Sequence, residues 1–163
     1  MSAAAGEPGG QRRGRSIAMS VAERDAFLAE QRVCRIATTD SSGPHVSPLW
    51  FVWDGRALWL YSVVRSRRWA DIEKDARVAV VVDAGEDYRE LRGVELLGAA
   101  EPVGEVPRAG EPDDGLARVE QLFARKYRGA DTIDYDLRHA WLRVVPTKVV
   151  SWDFRKLRAP GSG

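Results

Sequence analysis

Two aromatic-rich apolar runs, residues 45–53 and 57–62, meet at Asp54-Gly55. Asp-Gly between such runs is the strongest short-range signal for a β-hairpin, because the tight turn needs backbone conformations that these two residues tolerate. The middle of the chain is thereby committed to adjacent antiparallel strands, and the flanking sequence extends the pattern. Residues 33–39 read as a preceding strand, joined through the turn Asp40-Ser41-Ser42-Gly43. Downstream, residues 78–83 form a β-branched run too apolar for a strand with one wet face, so burial on both faces is expected. Residues 88–101 make a long strand carrying Gly93 and Gly98, glycines of the kind that mark bulges or corners where a sheet curls. Residues 141–152 supply the last strand or strand pair, interrupted at Pro146.

Three other segments carry helix signals. Ser20 reads as an N-cap with Glu23 completing a capping box, for a helix to about Gln31 whose apolar side is Val21, Phe27 and Leu28. Residues 66–75 are a short helix with Trp69 and Ile72 on one face. Asp113 or Asp114 caps the third, in which Leu116, Val119, Leu122, Phe123 and Tyr127 recur at helical spacing as a core-packing stripe. The proline-rich stretch 102–115 reads as a surface connection outside the sheet, and residues 129–134 as a polar turn. Six strands and three helices in this order fit an antiparallel barrel better than a βαβ sheet, which places the chain in the mainly β, α+β class. Residues 1–15 lack an apolar period and residues 157–163 are loop-like, so one domain over residues 16–156 with two flexible tails is expected.

Charge and cysteine content exclude several functions. With 25 basic against 24 acidic residues, no global field favours nucleic acid or an anionic membrane, so any basic site is local. No apolar run approaches the roughly 18 residues that span a bilayer, and no hydrophobic signal core precedes the domain, which points to a cytoplasmic protein. Cys34 stands alone, so an intrachain disulfide and most zinc sites are excluded and the residue reads as a small buried hydrophobe. No metal site is expected.

The local basic site is Arg65-Ser66-Arg67-Arg68, where an apolar strand ending at Ser62 runs into a helix. Cations are disfavoured at a helix N-terminus, which already carries about half a positive charge. Backbone N–H groups, a hydroxyl and guanidinium forks converging there suit a phosphate monoester. A solvated charged face is the structural alternative, with Arg67 and Arg68 each able to pair with Asp71, but one carboxylate cannot satisfy three guanidiniums. The preceding strand, His45-Val46-Ser47-Pro48-Leu49-Trp50-Phe51-Val52-Trp53, contains a proline that cannot donate to a ladder and so marks an edge or bulge open to a ligand. Trp50, Phe51 and Trp53 individually read as core or interface.

The segment 43–55, the following Leu58-Trp59-Leu60-Tyr61-Ser62, Ser66-Arg67-Arg68 and Asp75-Ala76-Arg77-Val78-Ala79 together resemble the pyridoxamine 5'-phosphate oxidase-like split β-barrel flavoproteins. The likeness covers most of residues 20–153. The Trp-Phe-Val-Trp-Asp-Gly wording and the closing Lys148-Val149-Val150-Ser151-Trp152-Asp153 resemble the actinobacterial branch of flavin- or deazaflavin-dependent oxidoreductases. The resemblance implies a six-stranded antiparallel split β-barrel that binds FMN or coenzyme F420. The family's Ser-Arg-Lys phosphate signature falls on Ser66, Arg67 and Arg68, with arginine for lysine, a fork that can still hold phosphate. Its small hydroxyl residue falls on Ser62, and Arg65 is an additional donor. The strand lining the ring falls on Val46, Ser47, Pro48 and Leu49, next to Trp50, and the C-terminal tryptophan on Trp152. A homodimer with the cofactor at its interface is implied, in which Trp152 serves the partner's site.

Departures matter equally. Pyridoxamine phosphate oxidases proper carry an arginine on the second strand, where this chain offers His45 or Ser47, and an Arg-x-His substrate motif with no equivalent after Trp152. The missing strand arginine beside Arg65, Arg67 and Arg68 leans the reading toward the longer, acidic deazaflavin. His45 and His139 remain acid-base candidates, and no catalytic residue is named. The expected activity is hydride transfer between the cofactor and a small organic substrate. Two rivals are a flavin- or haem-sequestering barrel without turnover, and an oligonucleotide-binding barrel, which the neutral charge opposes.

Overall fold

In the computed structural model, which describes Gln11 and residues 14–157, six antiparallel strands close into a barrel in the order β1-β2-β3-β6-β5-β4. The strands are β1 (Val33–Asp40), β2 (Gly43–Trp53), β3 (Leu58–Val63), β4 (Arg77–Ala84), β5 (Arg92–Val103) and β6 (His139–Asp153). Three α-helices accompany them: α1 (Val21–Glu30), α2 (Arg67–Lys74) and α3 (Asp114–Arg128). The tails expected at residues 1–15 and 157–163 lie mostly outside the described residues. Gln11, within the first of them, exchanges two hydrogen bonds with the Ser151 backbone.

Local chemistry starts and stops these elements. Ser20 Oγ accepts from the Glu23 N–H while the Glu23 carboxylate accepts from the Ser20 N–H at 2.7 Å, which satisfies two of the orphan donors at the start of α1. Phe27 and Leu28 are buried as expected, but Val21 is 58% exposed, because the first helical position turns away from the barrel. Between β2 and β3 the turn spans four residues: Asp54 Oδ1 accepts from the Arg56 and Ala57 N–H groups, and Gly55 takes φ 95°.

Strand alternation builds two cores. Phe51, Leu58, Leu60 and Leu142 point into the barrel with Ile36, Val80, Val82 and Leu96, and α2 caps that interior with Trp69 and Ile72. Their alternates Val52, Trp59 and Trp141 point outward and meet the α3 stripe Leu116, Val119 and Phe123. The stripe is core, as its spacing predicted.

Several expectations are corrected. β4 is not buried on both faces within this chain: Val78, Val80 and Val82 are interior, while Ala79 and Val81 on the other face are half-buried. Tyr88 opens a short 3-10 turn (Tyr88–Glu90), and β5 begins only at Arg92. The 102–115 connection begins inside β5 and is not wholly superficial. Its Arg108 is 2% exposed, with its guanidinium held by Glu120 of α3 at 2.7 Å. Pro146 does not split the last strand. The register slips between Leu97 and Gly98, Gly98 faces Pro146, and β6 continues through the resulting bulge.

Candidate functional site

The barrel is split where β2 leaves β3. Only residues 51–53 of β2 pair with residues 58–60 of β3. Upstream of residue 51, β2 keeps β1 alone, while β3 pairs along its whole length with β6. Pro48 sits in this half-paired stretch, where a residue without an N–H costs no ladder bond on the open side.

At the end of β3 the chain turns into α2. Ser66 is its N-cap, with Oγ accepting from the Trp69 N–H at 3.2 Å. The second helical residue, Arg68, crosses the split: Nη1 donates to Ser47 Oγ of β2 at 2.6 Å, and Nε and Nη2 donate to Ser62 Oγ of β3 at 3.2 and 3.0 Å. Ser62 is buried and Arg68 half-buried, yet no described carboxylate lies within ion-pair distance of this guanidinium. Burial pushes its pKa down from the usual arginine value, although a guanidinium stays charged. A partly desolvated cation whose protein partners are two neutral hydroxyls is electrostatically incomplete. Each serine also keeps a proton it can rotate toward an incoming anion.

The neighbouring arginines go elsewhere. Arg67 donates to Ser42 Oγ at 2.8 Å and lies 3.7 Å from Asp40 and 4.0 Å from the buried Asp71, which accepts from Thr38. Arg65 is exposed and makes no side-chain hydrogen bond or ion pair with any described residue. Val46 and Pro48 point outward from β2, while Ser47 and Leu49 turn inward. Trp50 is 42% exposed and stacks on Tyr127 of α3 at 4.4 Å. Trp152 packs over Gly93, where an added Cβ would lie 2.3 Å from its ring. It sits 13 residues along β6 from His139, roughly 40 Å of extended chain. Within one chain, the structure brings together Ser47, Leu49, Trp50, Ser62 and Arg68 but not Trp152.

Arg68 opens onto a cleft of about 340 Å³ walled by Leu49, Trp50, Tyr61 and Phe123. Sequence reasoning did not assign its remaining polar wall. His139 Nδ1–H donates to Asp136 Oδ2 at 2.6 Å, and Asp136 Oδ1 accepts from the Arg138 and His139 N–H groups. Burial works to raise the Asp136 carboxyl, but the bonds from Arg138 N–H and from His139 outweigh it and hold it low. The signal was local: Asp-x-x-His with the intervening Leu137 at φ 57° is a side-chain-closed turn. Tyr61 lies against His139 with ring centroids 5.0 Å apart, and burial, then the Asp136 charge, push its hydroxyl up to about 12. Two buried side-chain atoms among those described lack any partner: Tyr61 Oη and His45 Nδ1, the latter on the same face of β2 as Ser47. No described cluster of His, Cys, Asp and Glu could hold a metal, and no described helix is long and apolar enough to cross a membrane.

The cleft thus offers a cationic, hydroxyl-lined end, aromatic walls and a carboxylate–imidazole pair. The family profile described as pyridoxamine 5'-phosphate oxidase matches residues 20–153. Among solved structures, the conserved hypothetical protein Rv2991 of Mycobacterium tuberculosis is similar, with 30% identity over 94% of this chain and 96% of its own and a TM-score of 0.77. An F420 reductase shares the fold at 22% identity, covering 77% of this chain and 94% of its own with a TM-score of 0.57. The FAD binding protein of Mycobacterium smegmatis does so at 21% identity, covering 83% and 95% with a TM-score of 0.56. No curated protein matches the chain.

Proposed function

The chain belongs to the pyridoxamine 5'-phosphate oxidase family, and on that premise we propose that it binds a phosphate-bearing flavin-type cofactor, FMN or coenzyme F420, and serves hydride transfer to a small organic substrate. The observation that carries this reading is Arg68, a half-buried cation held by Ser47 and Ser62 across the split with no described carboxylate within ion-pair distance. Those three residues fit a phosphate: the guanidinium supplies charge and a planar fork, and the hydroxyls can turn their protons to the same anion. Leu49, Trp50 and Phe123 supply the apolar walls that a flat ring needs and that keep water from it. When bound, the cofactor provides the two-electron hydride chemistry. The chain's own residues anchor the phosphate, orient the ring and hold a protonatable group, His139, in the wall. The position of Trp152, remote from Arg68 in its own chain, supports a homodimer in which it reaches the partner's cleft.

Side-by-side absorbance and fluorescence titrations with FMN and with F420 test this reading. Saturable binding of one of them supports it and selects the cofactor, and failure of both overturns it. A bound chromophore that no substrate panel can discharge would instead mark a sequestering protein.

A further inference from the structure

His139 opens β6 in the cleft wall, and its ring is held from two sides. Asp136 is ionised and can only accept, so the 2.6 Å contact runs from His139 Nδ1–H to Asp136 Oδ2. The Tyr61 ring lies along the imidazole at 5.0 Å and 24°. Nε2 has no partner among the described residues and is not closed off from solvent, so it is the position on this ring where a proton can come and go. The other charged groups of the wall are Arg68 of α2, Arg128 at the end of α3, and Asp134 beside Asp136. Arg138 is exposed on the same loop, and the Arg108 guanidinium, whose backbone N–H bonds the His139 carbonyl, is taken up by Glu105 and Glu120. Tyr61, its hydroxyl pushed up to about 12 by burial first of all, stays neutral through the physiological range. Of the side-chain types in this wall, only histidine ordinarily changes charge between about pH 5 and 8. The chain's other histidine, His45, does not line the cleft.

A hydride brings two electrons and one unit of negative charge into the site that receives it. The cleft of about 340 Å³ spans roughly 7–10 Å, so a group reduced inside it lies within that range of His139. At an effective dielectric of about 30, between the values for a protein site and for water, a unit charge about 8 Å away makes proton binding at Nε2 about tenfold tighter. We propose that His139, positioned by Asp136 and by the Tyr61 ring, takes up a proton at Nε2 when the cofactor in this cleft receives a hydride, so that the imidazolium stands as counter-cation to the reduced state. The hydride donor loses two electrons with one hydrogen, the cofactor gains them, and Nε2 binds one proton from water, which leaves again when the hydride is passed on. The inference rests on the cofactor reading of this cleft and adds the residue that matches its charge to its redox state.

The test is a spectroelectrochemical titration of the full chain loaded with whichever of FMN or F420 it binds, in steps from about pH 5 to 9. His139→Gln is measured beside it, since its amide N–H can still reach Asp136 but carries no charge. At the acid end the imidazolium is present in both redox states, and the unmodified protein should sit about 30 mV above the variant, the two-electron equivalent of tenfold. At the alkaline end the imidazole is neutral in both states, and the gap should close. Asp136→Asn keeps the imidazole but removes the carboxylate that favours its charged form. Measured against the Asp136→Asn, His139→Gln double variant, its gap should therefore close at lower pH. No gap at the acid end, or a gap that stays constant across the range, overturns the proposal. Failure of both cofactors to bind removes the oxidoreductase reading and this inference with it, whereas binding with parallel curves removes this inference alone.

Discussion

Replacing Arg68 by methionine keeps the length and apolar stem of the side chain and deletes the guanidinium. If the fork makes two charge-assisted bonds to a phosphate, their loss costs about 3 kcal/mol, or roughly 100-fold in affinity. The effect on the empty protein should be small for an opposing reason. The Arg68→Met change would leave the buried Ser62 hydroxyl without its two guanidinium bonds, at about 1 kcal/mol, while removing a partly desolvated cation that has no counter-ion among the described residues. The net should lie within about 1 kcal/mol, or roughly 2–4 °C for a chain of this size. Thermal unfolding with and without cofactor reads both quantities at once. At a cofactor concentration 100 times the dissociation constant, the unmodified protein gains about 2.7 kcal/mol, and at the same concentration Arg68→Met gains only about 0.4 kcal/mol. The reasoning is refuted if Arg68→Met keeps the full cofactor-induced shift. Loss of more than about 3 kcal/mol in the empty protein with unchanged affinity would refute it too, because Arg68 would then be a structural tie between β2 and β3.

Three further outcomes follow from the same geometry. Asp136 is held below the usual carboxylate range, so its stabilisation is complete above its unfolded pKa of about 4 and is lost as pH falls through the lower folded value. Asp136→Asn should therefore flatten the acid side of the stability curve, as measured by urea unfolding between about pH 2 and 5. An alanine at Gly98 would place its Cβ 2.6 Å from the Val145 carbonyl oxygen at the bulge. Chemical denaturation should show about 1–3 kcal/mol of lost stability, the usual cost of an overpacked contact. Cys34 is fully buried and burial pushes its thiol up to about 12. Its alkylation at about pH 8 should track global opening, many-fold slower in native protein than in urea.

Much of the framework was legible because its causes are local. The Ser20–Glu23 box, the Asp54-Gly55 turn and the α3 stripe each depend on residues within a turn of one another or on a local repeat, and each occurs where the sequence placed it. What was hidden depends on distant partners. The buried face of Arg108 exists only because Glu120 comes round on α3, and an outward strand face such as Ala79 and Val81 is wet or dry according to what packs on it. Three arginines in four residues carried no sign of which one enters the cleft. Successive helix positions diverge by about 100°, so Arg67 and Arg68 must part, and only the locations of Ser42 and Ser47 decide their directions. The Asp136–His139 turn was readable as spacing, but its meaning comes from Tyr61, brought beside it by the pairing of β3 with β6.

The central claim, that Arg68 with Ser47 and Ser62 is the anchor for a cofactor phosphate, is tested most directly by a crystal structure of the protein soaked with whichever of FMN or F420 binds. The account predicts phosphate oxygens within hydrogen-bond distance of the Arg68 guanidinium and of both serine hydroxyls. A cofactor whose phosphate lies elsewhere, with Arg68 still bonded only to the two serines, would contradict it.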